Sequence, residues 1–220
     1  MLNLALSILF SSLIFVVFKL YDTYRIQTLY AIIINYLVAS SVGMYFYDRK
    51  IDLLEIPEKP WFLGTLVLGI LFILVFNLMA ATSQKSGVSV ASVATKMSLV
   101  ILVFIGSGII DTSIKYLEET LVPKEEFPLF SAVVFGSAAT TGLLFIAIKS
   151  FKKRSLPNIL TALGGITLGI LNYFSIFYLL RALQHENLNS SSVFTINNVA
   201  IVMFSTLLGV VLFKERISAK

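Results

Sequence analysis

The chain divides into long stretches that carry no charge and short stretches that gather it. Uncharged runs cover residues 1–18, 26–47, 60–84, 127–148, 155–180 and 187–213. Each approaches the ~20 residues that a helix needs to cross a ~30 Å hydrocarbon layer. A seventh run, 86–110, is interrupted only by Lys96. The runs are continuously apolar rather than alternating, which predicts spanning helices and not a barrel of strands. The expected fold is all-α: a polytopic helical membrane protein with about seven spans. The first run lacks a basic leader and a small-residue cleavage site, so it reads as a retained span rather than a signal peptide.

Composition agrees with this class. Hydrophobic residues make up 57% of the chain and charged residues 13%, more apolar than a solvated surface allows a soluble domain of this size. The net charge of +5 sits at helix ends and in short loops, without interleaved aromatics. It therefore reads as topology-setting loop charge and not as a nucleic-acid surface. With no cysteine and a single histidine, His185, thiolate metal sites, disulfides and histidine clusters within one chain are excluded. No phosphate-binding glycine loop, metalloprotease motif or nucleophile elbow is present. No metal, cofactor or catalytic residue is expected, and the chain reads as a non-enzyme.

The sequence repeats itself. Residues 63–101 laid ungapped on 163–201 match at Leu63/Leu163, Gly64/Gly164, Leu68/Leu168, Gly69/Gly169, Ile70/Ile170 and Leu71/Leu171. They match again at Gln84/Gln184, Ser92/Ser192, Val93/Val193, Thr95/Thr195 and Ile101/Ile201. A composition this biased would give roughly four such matches by chance. Earlier helices match at slightly smaller shifts: Ser11, Ile14 and Lys19 with Ser107, Ile110 and Lys115, and Gly43 with Gly142. Two units follow, 1–101 and 102–220, with a seam after Ile101. Duplication in a membrane protein favours transport, because two pseudo-symmetric halves can expose a shared site alternately; an odd number of spans per copy would make the copies inverted. Duplicated membrane enzymes and scaffolds are the competing structural account.

"SQKSGVSVASVATKMSLVI", residues 83–101, follows an apolar third helix, and "LLGVVLFKERIS", residues 207–218, closes the fourth helix of the second copy. With the repeat, these stretches resemble the EamA-type transporters of the drug/metabolite transporter superfamily, over nearly the whole chain. The resemblance implies a ten-helix carrier of two inverted five-helix repeats, its central cavity lined by the first, third and fourth helices of each. Against that pattern the chain lacks the fifth helix of the first copy, half of its fourth, and the last helix of the second, about 70 residues in all. Residues 88–117 are then expected to form one fused helix about 45 Å long.

Polar residues inside the apolar runs are the candidate lining. Lys96 lies about 12 Å into a helix starting near Val88, where an ammonium facing lipid costs at least ~2.5 kcal/mol. Ser89, Ser92 and Lys96 share a face. Either they meet a polar or anionic substrate group, or the lysine snorkels to the headgroups. Asp111 either pairs locally with Lys115 at i+4 or, with its helix separate from that of Lys96, meets that lysine. In the second copy Ser191, Thr195, Asn198 and Ser205 form a polar stripe, with Asn197 beside it, suited equally to helix packing and to a cavity wall. Asn172 and Tyr173, with Asn77 of the first copy, complete the set. Gly165 and Gly169 form a small-residue pair that reads as a close helix contact.

The functional expectation is a secondary transporter in the cell membrane, moving a small metabolite or amino acid by alternating access. Its substrate-binding residues would be Lys96, Asp111, Asn77, Asn172, Tyr173, Thr195, Asn197 and Asn198. The alternative is a truncated, non-transporting relative that serves as an assembly partner or is an inactive fragment. Expected partners are the small-molecule substrate, the lipid bilayer and a second copy of the chain as a homodimer, but no nucleic acid. The Lys and Arg distribution places the N-terminus outside, whereas the resemblance places both ends in the cytoplasm.

Overall fold

A computed structural model describes residues 2–47, 54–88, 101–149, 157–184 and 189–215. Seven helices run through them: α1 (Leu2–Thr23), α2 (Thr28–Tyr45), α3 (Phe62–Ser86), α4 (Ile101–Thr120), α5 (Phe127–Lys149), α6 (Ile159–Leu183) and α7 (Ser190–Phe213). Single 3-10 turns, Ile56–Glu58 and Lys124–Glu126, precede α3 and α5. No strand occurs among the described residues. The chain is an all-helical bundle, as the uncharged runs predict. Helix ends follow local chemistry: the side chains of Asn158 and Asn189 accept the backbone N–H groups of Thr161 and Ser192, both at 2.8 Å, satisfying first-turn donors. Gly87 ends α3 with φ at +99°, a backbone region open to glycine at little cost.

Six of these helices, all but α4, are long and apolar enough to cross a membrane. α4 departs from the others because Asp111, Lys115, Glu118 and Glu119 fall within its 20 residues. Of the expected fused helix 88–117, Val88 and the part from Ile101 onward are described; residues 89–100 lie outside the described residues.

α2 and α1 hold the centre. α2 packs on α3, α5 and α6, and α1 on α3, α6 and α7. Tyr36 on α2 is fully buried and donates its hydroxyl to the Phe72 carbonyl at 2.8 Å, while its ring packs against Phe76 and Phe135. A buried phenol without such an acceptor would lose about 1–3 kcal/mol.

Glycines set how closely the helices approach. A Cβ on Gly43 would stand 2.8 Å from the Ala132 Cβ, and one on Gly142 would stand 2.7 Å from Ile33 Cγ1. A Cβ on Gly64 would meet Leu117, and one on Gly164 would meet Tyr21 and Ile26. One on Gly69 would meet Ser137, and one on Gly169 would meet Val38. Gly165 also faces α2, against Ile34 and the Ala31 carbonyl, so the small-residue pair on α6 sits at a close helix crossing. Gly43 meets Ala132 while Ile33 meets Gly142, so α2 and α5 run antiparallel.

Candidate functional site

A cavity of about 150 Å³ opens between α1, α3, α4, α6 and α7. Its wall is apolar where Phe72, Phe76 and Met79 contribute, and polar where Ser11, Ser107, Asp111, Asn172, Asn197 and Asn198 do. Four of the expected site residues, Asp111, Asn172, Asn197 and Asn198, therefore converge from three helices, α4, α6 and α7.

Most of these polar groups are held by neighbours. The Asn198 amide donates to Asp111 Oδ2 at 3.3 Å, joining α7 to α4. Further along, Ser190 donates to Glu119 at 2.7 Å. The two bonds lie eight residues apart on both helices, so α4 and α7 run antiparallel with the cavity between them. Asn172 donates its amide to Asn35 Oδ1 at 3.1 Å, and Asn35 donates its own to the Ile32 carbonyl at 3.2 Å. With one N–H spent on Asn35, the Asn172 amide keeps a second N–H donor and its carbonyl oxygen for other partners. Ser7 Oγ lies 3.1 Å from the Ser175 carbonyl and 3.2 Å from Asn197 Oδ1. One hydroxyl proton serves only one acceptor at a time, so Asn197 and Ser175 share Ser7. Ser11 and Ser175 join their hydroxyls at 2.6 Å.

Ser7 and Asn35, both fully buried, were not among the expected site residues. Ser7 and Ser11 stand four apart on one face of α1, a spacing visible in the sequence. Asn35 is a lone amide in an apolar run and carries no such signal.

The remaining expected residues sit elsewhere. Tyr173 is fully buried but stacks between Phe46 and Phe177, off the cavity lining, and its hydroxyl has no hydrogen-bond partner among the described residues. Asn77 donates to the Ile73 carbonyl of its own helix at 2.7 Å. Thr195 is exposed and donates to the Ser191 carbonyl at 2.8 Å. Lys96 lies outside the described residues. Lys115 does not pair with Asp111; it lies 4.0 Å from Glu119, one turn nearer the helix end, where both charges keep more water.

The two stretches quoted for the resemblance meet. The Glu215 carboxylate accepts the Val88 backbone N–H at 2.7 Å and fills the space where a Gly87 Cβ would stand. Lys214, with φ at +54°, turns the chain out of α7 so that Glu215 reaches this position.

No residues converge on a metal: no group of three His, Cys, Asp or Glu occurs among the described residues. No family model matches the chain, and no solved structure matches it. A Haemophilus influenzae protein described as uncharacterized is 32% identical to it over 116 residues, which take in 53% of this chain and 38% of that protein. The chain thus matches well under half the length of this relative.

Proposed function

We propose that the protein is a secondary transporter of the EamA, drug/metabolite type, built from two inverted repeats, which moves a small metabolite by alternating access through the cavity between them. The observation that carries this reading is the exchange of glycine contacts. Adding 99 to the pair Ile33 and Gly43 gives Ala132 and Gly142, and the two pairs form the same α2–α5 crossing with the roles reversed. Adding 96 to Tyr21 and 100 to Gly64 gives Leu117 and Gly164, and Gly64 meets Leu117 as Gly164 meets Tyr21. Gly69 with Ser137 and Gly169 with Val38 repeat the pattern. These offsets are the shifts at which the sequence aligns with itself.

Reciprocal contacts of this kind are what a two-fold axis between halves produces. Equivalent helices that run antiparallel, as α2 and α5 do, correspond to inverted copies. The cavity draws its wall from α1 and α3 of one half and α4, α6 and α7 of the other, so relative motion of the halves would change its access. Its volume suits a solute of a few heavy atoms, and its asparagine and serine groups suit polar substituents.

The reading is tested with the full chain in liposomes and a panel of radiolabelled amino acids and small metabolites. Saturable uptake of at least one solute, abolished by Asn198→Leu, is the expected result. Absence of saturable uptake across the panel favours the non-transporting alternative.

A further inference from the structure

A second cavity, of about 400 Å³, lies at the end of the bundle where α2 and α6 finish and α5 begins, and shares no residue with the central one. Its lining combines Lys124 and Arg181 with one carboxylate, Glu125, and with the side chains of Tyr47 and Gln184. Among the described residues neither Lys124 nor Arg181 has an ion-pair partner. The neighbouring Glu126 cannot serve them, because Lys59 takes one of its oxygens at 2.7 Å and the Trp61 indole takes the other at 2.9 Å.

Arg181 is not a freely moving surface cation. Its guanidinium carbon stands 4.5 Å from the centroid of the Phe177 ring. Phe177 stacks on Tyr173 at 5.6 Å and 22°, and Tyr173 on Phe46 at 6.0 Å and 14°. Because Tyr173 is fully buried, the guanidinium caps an aromatic stack rooted in the core. A guanidinium held face-on to a ring keeps its edge N–H groups available, and those edges match the two oxygens of a carboxylate or phosphate. A basic residue in the last turn of a helix is also what the helix dipole favours, which would account for Arg181 alone. It does not account for Lys124 arriving from a different element at the same cavity.

We propose that this cavity is a binding site for an oxyanion, a carboxylate or phosphate group held by Arg181 and Lys124, with Tyr47 and Gln184 as neutral donors. The inference stands apart from the transport reading. The group could belong to a free solute or to a lipid headgroup, and the test separates these sources.

Trp61 is the chain's single tryptophan, and its bond to Glu126 places it directly beneath the turn that carries Lys124. Its emission is the readout. The full chain is reconstituted into phosphatidylcholine nanodiscs and titrated with inorganic phosphate and with benzoate at fixed ionic strength. A matched set of nanodiscs contains phosphatidylglycerol. A saturable change with phosphate or benzoate assigns a free anion. A change on going to phosphatidylglycerol, with no further response to phosphate or benzoate, assigns a headgroup. Either response should weaken at least tenfold in Arg181→Gln and in Lys124→Gln, two exposed positions whose replacement leaves the core intact. No saturable response from any of the three probes, or an undiminished one in both variants, would overturn the proposal.

Discussion

Asp111 on α4 and Asn198 on α7, 87 residues apart, are joined by a hydrogen bond of 3.3 Å across the central cavity. A neutral donor on a carboxylate is worth about 1.5–3 kcal/mol when the site is shielded from water. Replacing Asn198 by Leu keeps the bulk and removes the donor. We expect the amount of protein in the membrane to stay within about twofold while uptake falls at least tenfold, equivalent to ~1.4 kcal/mol. Quantitative immunoblotting beside the uptake assay checks this. Equal loss of protein and of uptake would mean that the pair only holds the bundle together.

The helices were legible in the sequence because a spanning helix needs only an unbroken apolar run. One glycine crossing was legible, because Gly165 and Gly169 stand at small-residue spacing on one helix face; the residues they meet, Ile34 and Val38, were not. The network behind the cavity was not. Ser7 and Asn35 find their partners 190 and 137 residues away, and spacing along one helix holds no record of such contacts. The local rule misled at Asp111, where the i+4 spacing to Lys115 suggested an ion pair. Ser107, Asp111 and Ile114 face the cavity, whereas Lys115 lies on the neighbouring stripe with Glu119.

The reciprocal glycines predict matched consequences. Gly43→Val and Gly142→Val each force a side chain into a space under 3 Å from the facing helix, and overpacking of this sort costs about 1–3 kcal/mol. Both should lower the unfolding midpoint in mild detergent by similar amounts. A Cβ on Gly108 would meet nothing within 4 Å among the described residues, so Gly108→Ala should be neutral or stabilising by up to about 1 kcal/mol from helix propensity. A large effect at Gly108 with none at Gly43 would contradict these packing assignments.

Gly87 couples two strains. Its φ of +99° is unfavourable for any side chain, and a Cβ there would strike the Glu215 carboxylate at 2.6 Å. Gly87→Ala should destabilise by about 1–3 kcal/mol. Glu215→Ala removes the acceptor of the Val88 N–H and should cost about 0.5–2 kcal/mol, the range for losing a backbone-capping side chain. In Glu215→Ala the steric part of the Gly87→Ala penalty should shrink, so the double variant is expected to lose less than the sum. Additive losses in a double-mutant cycle would show that the two residues do not interact.

The Lys59–Glu126 pair carries a pH signature. The hydrogen bond to Glu126 raises the Lys59 pKa above its ordinary value of 10.5. A raised folded-state value means that the pair's contribution is fully present below the unfolded value and is lost as pH rises through the folded one. Trp61, which shares Glu126, should keep a constant emission maximum from about pH 7 to 10 and shift only above the ordinary lysine range. Glu126→Gln should shift the emission at neutral pH. A transition in the wild-type protein centred below pH 10 would contradict the ion-pair assignment.

The central claim is that the cavity between the halves opens alternately to the two sides of the membrane. The chain contains no cysteine, so a single Ser107→Cys substitution places one thiol on the cavity wall. Its reaction with a membrane-impermeant maleimide can be followed in right-side-out and in inverted vesicles. Alternating access predicts labelling from both faces, each slower than for a cysteine in an exposed loop. Labelling from one face only, or from neither, would contradict the account.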